Sequence, residues 1–266
     1  MSDAAPPPSQ LPPEELPRIV VRIPAEDPPW NVWDVLRILV VALITVGLFD
    51  MIAMALAAHG IKSREVLEAL SHDPRVIIPA QSAAYVVVIA YMVAVVRLVR
   101  RPFLPTVKWN FPGLNALGYF ALGVALSIAI LAAEALLPVP KSLPMDQFFT
   151  TTTGAYLMAV FGITFAPLME ELFFRGFLYP LIARKWGVTA SIAITALAFA
   201  LMHEAQLAHA WAPLLLLWVV GVVLTGVRAR TKSVAASFCI HVAYNFTLFA
   251  LMFIRTDAFR HLDKLT

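Results

Sequence analysis

Apolar residues in this chain come in blocks long enough to cross a bilayer. A hydrocarbon core about 30 Å thick takes about 20 residues of helix. Seven blocks meet or nearly meet that length: 33–58, 76–99, 114–137, 155–182, 188–206, 211–229 and 233–254. The pattern predicts an all-α, polytopic transmembrane helical bundle of about seven spans over residues 32–254, with a break near Pro167 in the long fourth block. Residues 1–31 hold nine of the 20 prolines. Proline removes a backbone donor and fixes φ, so a flexible, partly polyproline tail is expected there, and 255–266 form a short C-terminal tail. No internal repeat is evident, which removes the usual sequence pointer to a secondary transporter.

Composition narrows the class. Sixty per cent of the 266 residues are apolar and 14% charged, against roughly 45–50% and 25% in soluble domains, so a water-soluble globule is excluded. A single cysteine, Cys239, rules out an internal disulfide framework and Cys-rich zinc sites. The net charge of +3 carries no basic block, so nucleic acid is not an expected partner; the bilayer is. Counted on alternate sides of seven spans, 12 basic residues (18, 22, 37, 97, 100, 101, 108, 184, 185, 228, 230, 232) face seven (62, 64, 75, 141, 255, 260, 264). Basic loops stay in the cytoplasm, which predicts a cytoplasmic N-terminus and an external C-terminus. No apolar stretch follows a basic one at the N-terminus, so no cleavable signal peptide is expected.

Ionisable groups inside spans are costly and are functional candidates by default. Here they cluster: Glu170, Glu171 and Arg175 in the fourth block, His203 in the fifth, His241 with Asn245 in the seventh. At about 1.5 Å per residue, Glu170 and His203 lie roughly 21–22 Å from the cytoplasmic end, Asn245 roughly 18 Å and His241 roughly 12 Å. Three helices packed side by side would share one polar site. Phase divides the roles. Glu171 and Arg175, four apart, can pair, whereas Glu170 is rotated about 100° away and free to react. His241 and Asn245, also four apart, can point at one spot, and a neutral imidazole with an amide would serve as oxyanion donors. Asp50 and Glu134 stand apart; Asp50 is expected to pair with the Arg or His groups, and Phe199 and Cys239 to be packing. His203-Glu204 opens an HExxH pattern, but the second His is replaced by Leu207, so no helix supplies two zinc ligands on one face.

These residues resemble the CPBP (CAAX protease and bacteriocin-processing, or Abi) family of intramembrane proteases. EExxxR stands at Glu170–Arg175, FxxxH at Phe199–His203 and HxxxN at His241–Asn245, in order and each on its own predicted span. The similarity covers about 155–245. It implies an intramembrane endopeptidase in which Glu170 and His203 activate a water, His241 and Asn245 hold the oxyanion, and Glu171 and Arg175 support them. The expected substrate is a peptide or membrane protein, and the small size suggests a prokaryotic cytoplasmic membrane. Two other readings use the same groups: a non-catalytic peptide-binding or immunity protein, and an ion-coupled transporter. A metal-free glutamate mechanism is favoured; a zinc enzyme would use Glu170, His203 and His241 as ligands.

Overall fold

The structure is a computed structural model, and it describes residues 26–140 and 142–265. Its helices are α1 (Val32–Ala57), α2 (Arg64–Ser71), α3 (Pro74–Leu98), α4 (Phe103–Thr106), α5 (Ala116–Glu134), α6 (Thr152–Ile163), α7 (Phe165–Glu170), a π-helical stretch (Glu171–Leu178), α8 (Tyr179–Met202), α9 (Trp211–Thr231) and α10 (Val234–Arg255). No strand occurs among the described residues. Local chemistry sets the helix starts. Asn31 and Asp34 form a capping box for α1, and Asp73, Thr151 and Ser233 accept backbone N–H bonds at the starts of α3, α6 and α10. Such caps satisfy donors that have no partner within the helix.

Among the described residues six helical stretches are long and apolar enough to cross a membrane, one of them running 51 residues from Thr152 to Met202. At 1.5 Å per residue that stretch would measure about 77 Å, more than twice the hydrocarbon core. Gly187 resolves the excess. Its φ of 76° and ψ of 178° interrupt the helix, a left-handed conformation that a residue without Cβ adopts readily. The chain folds back there as an antiparallel hairpin. Phe174 and Phe199, nearly equidistant from Gly187 in sequence, meet at 5.4 Å, and Glu170 faces His203 in the same way. The predicted fourth and fifth spans are therefore the two arms of one hairpin. The expected break near Pro167 is also present: α6 ends at Ile163, whose carbonyl Pro167 has no N–H to meet.

Apolar side chains such as Leu43, Ile44, Leu48, Leu117 and Val160 cover the bundle's outside, as a lipid-facing surface requires. The connections around Asn110, Arg184 and Lys232 gather at one end: Asn110 donates to the Lys232 carbonyl at 3.1 Å, and Arg184 to the Pro28 carbonyl at 3.1 Å. Most of the Pro-rich tail lies outside the described residues. From Glu26 the chain is packed on the bundle: Glu26 pairs with buried Arg228 at 3.0 Å, and Trp30 donates to the Phe177 carbonyl at 3.0 Å.

Helix α5 lies hard against α10 at Gly123, where an added Cβ would stand 2.4 Å from the Ile240 carbonyl. Gly123→Ala is therefore expected to destabilise by about 1–3 kcal/mol, the usual cost of overpacking, and to displace the turn of α10 that carries His241. A thermal melt in detergent checks this; an unchanged midpoint would mean that the contact yields freely.

Candidate active site

The site starts from a local departure in helix geometry. Over Glu171–Leu178 the backbone widens into a π-helix, closed by the Tyr179 N–H bonding to the Phe174 carbonyl five residues back. Such segments are rare and concentrate at functional sites. Glu171 and Arg175 are fully buried and paired, with Nη1 of the arginine 2.9 Å from Oε1 of the glutamate. The guanidinium is satisfied on every side. Its Nε donates to Thr225 Oγ1 at 3.2 Å and its Nη2 to the Gly221 carbonyl at 3.3 Å, both on α9, and it lies 4.5 Å from the centre of the Phe199 ring. A buried charge needs such partners because desolvation is otherwise uncompensated.

Glu170 turns to another side and faces two imidazoles. Its Oε1 is 3.8 Å from His203 Nε2 and its Oε2 is 3.6 Å from His241 Nε2. Both separations exceed a direct hydrogen bond. Each imidazole is fixed by its other nitrogen. His203 Nδ1 lies 2.9 Å from the Phe199 carbonyl and His241 Nδ1 lies 3.0 Å from Glu171 Oε1. A carbonyl and an arginine-paired carboxylate only accept, so both Nδ1 atoms carry protons and both Nε2 atoms look toward Glu170. This corrects the expectation of a neutral His241 as donor: with its one proton on Nδ1, a neutral ring can only accept at Nε2. Both bonds to Glu171 fall on Oε1, and Oε2 is buried without a hydrogen-bond partner among the described residues.

Five of the six polar residues singled out from the sequence, Glu170, Glu171, Arg175, His203 and His241, thus meet in one cluster. Asn245, one turn beyond His241 on α10, donates instead from Nδ2 to the Gly162 carbonyl at 2.6 Å, near the α6–α7 break. His203 is not mid-helix as the predicted fifth span implied; α8 ends at Met202 and His203 caps it. Among the described residues the ion pair expected for Asp50 is not formed, because α1 packs chiefly on α3 and Asp50 lies beside Gln81 instead. Sequence reasoning missed Thr225 and Gly221. Neither is ionisable, and the only hint was a small residue and a hydroxyl four apart on an apolar span. Gly221 also lets α9 approach α8: a Cβ there would stand 3.0 Å from the Ala196 backbone. Phe199 does pack, but beneath a guanidinium and between two imidazoles, with ring centres 5.0 Å from His203 and 5.8 Å from His241.

Residues 152–247, which carry all of this machinery, match the family described as Rce1-like, type II CAAX prenyl endopeptidase. The chain carries a CAAX protease family domain. The match supports endopeptidase chemistry within a membrane in general, and the long apolar helices support an integral membrane protein. No curated protein and no solved structure gave a match. The CAAX protease domain begins at α6 and ends in α10, so α1 to α5 lie outside the matched segment.

Proposed function

We propose that this CAAX protease domain hydrolyses a peptide bond of a membrane-associated substrate with a water activated at Glu170. The observation that carries the reading is the facing of Glu170 by two imidazoles whose Nδ1 atoms are anchored elsewhere. A water beside the carboxylate hydrogen-bonds to Glu170 and to His203 Nε2; as its oxygen attacks the carbonyl carbon one proton passes to Glu170, and the other stays on the oxygen that becomes part of the new carboxyl group. Glu170 then returns the proton to the leaving amine. With Nδ1 committed to Glu171, His241 donates to the oxyanion only from a ring that also carries hydrogen on Nε2, beside the second N–H of the Asn245 amide. Incubating the purified protein in detergent with a panel of apolar peptides, and reading the products by mass spectrometry, tests the activity. Intact peptides throughout would refute it.

A second reading has its own support. Anchoring of Nδ1 by a carbonyl and by a carboxylate, with Nε2 directed at a third ligand, is the outer arrangement of many zinc sites. Glu170, His203 and His241 would hold the ion, which would polarise the carbonyl and lower the pKa of a bound water. Yet among the described residues no group of three or more His, Cys, Asp or Glu side chains is placed so as to hold a metal ion, and Glu171 is already engaged by Arg175 and His241, leaving no further carboxylate as base. The metal-free reading is preferred. Activity is therefore expected to survive exhaustive chelation, with elemental analysis showing no stoichiometric metal; loss on chelation and recovery with zinc would reassign the same residues as ligands.

The N-terminus is proposed to be cytoplasmic, on the Lys/Arg distribution. The Arg184→Cys protein should then be labelled by an impermeant thiol reagent only from the cytoplasmic side. Labelling from outside would invert the orientation.

A further inference from the structure

Outside the matched domain, a cavity of 390 Å³ lies between α1, α2, α3 and the segment before α6, with Asp50, Met54, Ser71, Val76, Gln81 and Phe148 in its lining. Asp50 is the one carboxylate in that lining. Its Oδ1 is buried and has no hydrogen-bond partner among the described residues. The charged pair nearest along α3, Asp73 and Arg75, is closed on itself at 2.6 Å, so Arg75 does not serve Asp50. A buried carboxylate oxygen without a donor is unfavourable, and among the donors that relieve it cationic ones bind most strongly.

The cavity is not remote from the candidate active site. Gln81 and Tyr85 are one helical turn apart on α3, about 6 Å along its axis. Tyr85 packs on Phe161 of α6, ring centres 5.6 Å apart, and α3 also packs against α7, which ends at Glu170. One face of α3 therefore leads from the cavity to the carboxylate proposed to activate water. The walls supplied by Met54, Val76 and Phe148 are apolar, which suits an aliphatic stem carrying a charged head.

We infer that the Asp50 cavity is a specificity subsite for a lysine or arginine side chain of the peptide substrate. The inference rests on the peptidase reading above. The Asp50 carboxylate takes the charge, Gln81 and Ser71 offer further hydrogen bonds, and Met54, Val76 and Phe148 hold the methylenes.

The test uses the full-length protein in a neutral detergent and N-acetylated apolar peptides, so that only a side chain supplies the cation. Each peptide carries one lysine, norleucine or glutamate, moved through the sequence in turn. Wild type is expected to cut at a fixed offset from lysine, with kcat/KM at least tenfold above the norleucine peptide. Asp50→Asn should lose that preference while cutting the norleucine peptides at the wild-type rate, and Asp50→Lys should favour glutamate. Equal cleavage of lysine and norleucine peptides, or a preference that survives Asp50→Asn, would overturn the subsite and leave the peptidase standing.

Binding separates the two failures. Fluorescent lysine peptides should bind Glu170→Gln protein at least tenfold tighter than norleucine peptides, and this margin should vanish in the Glu170→Gln, Asp50→Asn double variant. Equal binding of the two peptides overturns the subsite whether or not any peptide is cleaved. A wild type that cleaves nothing counts against the peptidase reading alone.

Discussion

Arg175→Ala is expected to cost this protein most of its stability. The guanidinium is fully buried, holds Glu171 at 2.9 Å, bonds to Thr225 and to the Gly221 carbonyl, and fills the space over Phe199. Truncation leaves Glu171 charged in low dielectric and opens a void between the π-helical stretch and α9. Breaking one side of a buried pair typically costs about 3–5 kcal/mol, a large share of the roughly 5–15 kcal/mol that holds a domain together. Arg175→Lys should recover only part of it, since an ammonium cannot reach Glu171, Thr225 and Gly221 together in the planar fork of arginine. Thermal unfolding in detergent reads the loss. An Arg175→Ala protein as stable as wild type but inactive would move this residue from support into the reaction.

Glu170→Gln is expected to behave in the opposite way, with stability kept and cleavage lost. The amide preserves the shape of the side chain and its place between His203 and His241, whose contacts at 3.6–3.8 Å are too long to anchor the fold. It cannot take a proton from water. A positioned base contributes typically about 10²–10⁴-fold, so cleavage should fall at least a hundredfold with an unchanged melting midpoint. Comparable loss of stability in Glu170→Gln and Arg175→Ala would contradict the division of roles between the adjacent glutamates.

The pairing of Glu171 with Arg175 was legible in the sequence because it depends on helical phase alone. Glu171 and Arg175 meet even though the backbone there is π-helical, since a four-residue separation keeps two long side chains in reach on the wider turn as well. The meeting of Glu170 with His203 was suggested by depth but needed a turn at Gly187, whose φ is a property of the fold. Tertiary packing decided the rest. Which nitrogen of His241 faces Glu171, and hence what His241 can donate, follows from how α10 lies against the π-helical stretch. Thr225 and Gly221 were invisible because they carry no charge, and their importance comes only from the arginine that arrives from another helix. Asp50 was misassigned for the same reason: its neighbours belong to α3, and no periodicity within α1 reports them. The boundary between the fourth and fifth spans was legible from Arg184, Lys185 and Gly187, which interrupt the apolar run, and the structure adds the backbone break at Gly187 inside an otherwise continuous helical stretch.

Isotope transfer from solvent tests the central claim most directly. Wild-type protein and its Glu170→Gln variant are incubated with membrane peptides in water enriched in oxygen-18, and the fragments are weighed by mass spectrometry. Wild type should yield fragments whose new C-terminal carboxyl holds one heavy oxygen, and Glu170→Gln should leave the peptides intact. Cleavage by Glu170→Gln at the wild-type rate, with the same heavy oxygen incorporated, would show that water is activated without this carboxylate and would contradict the account.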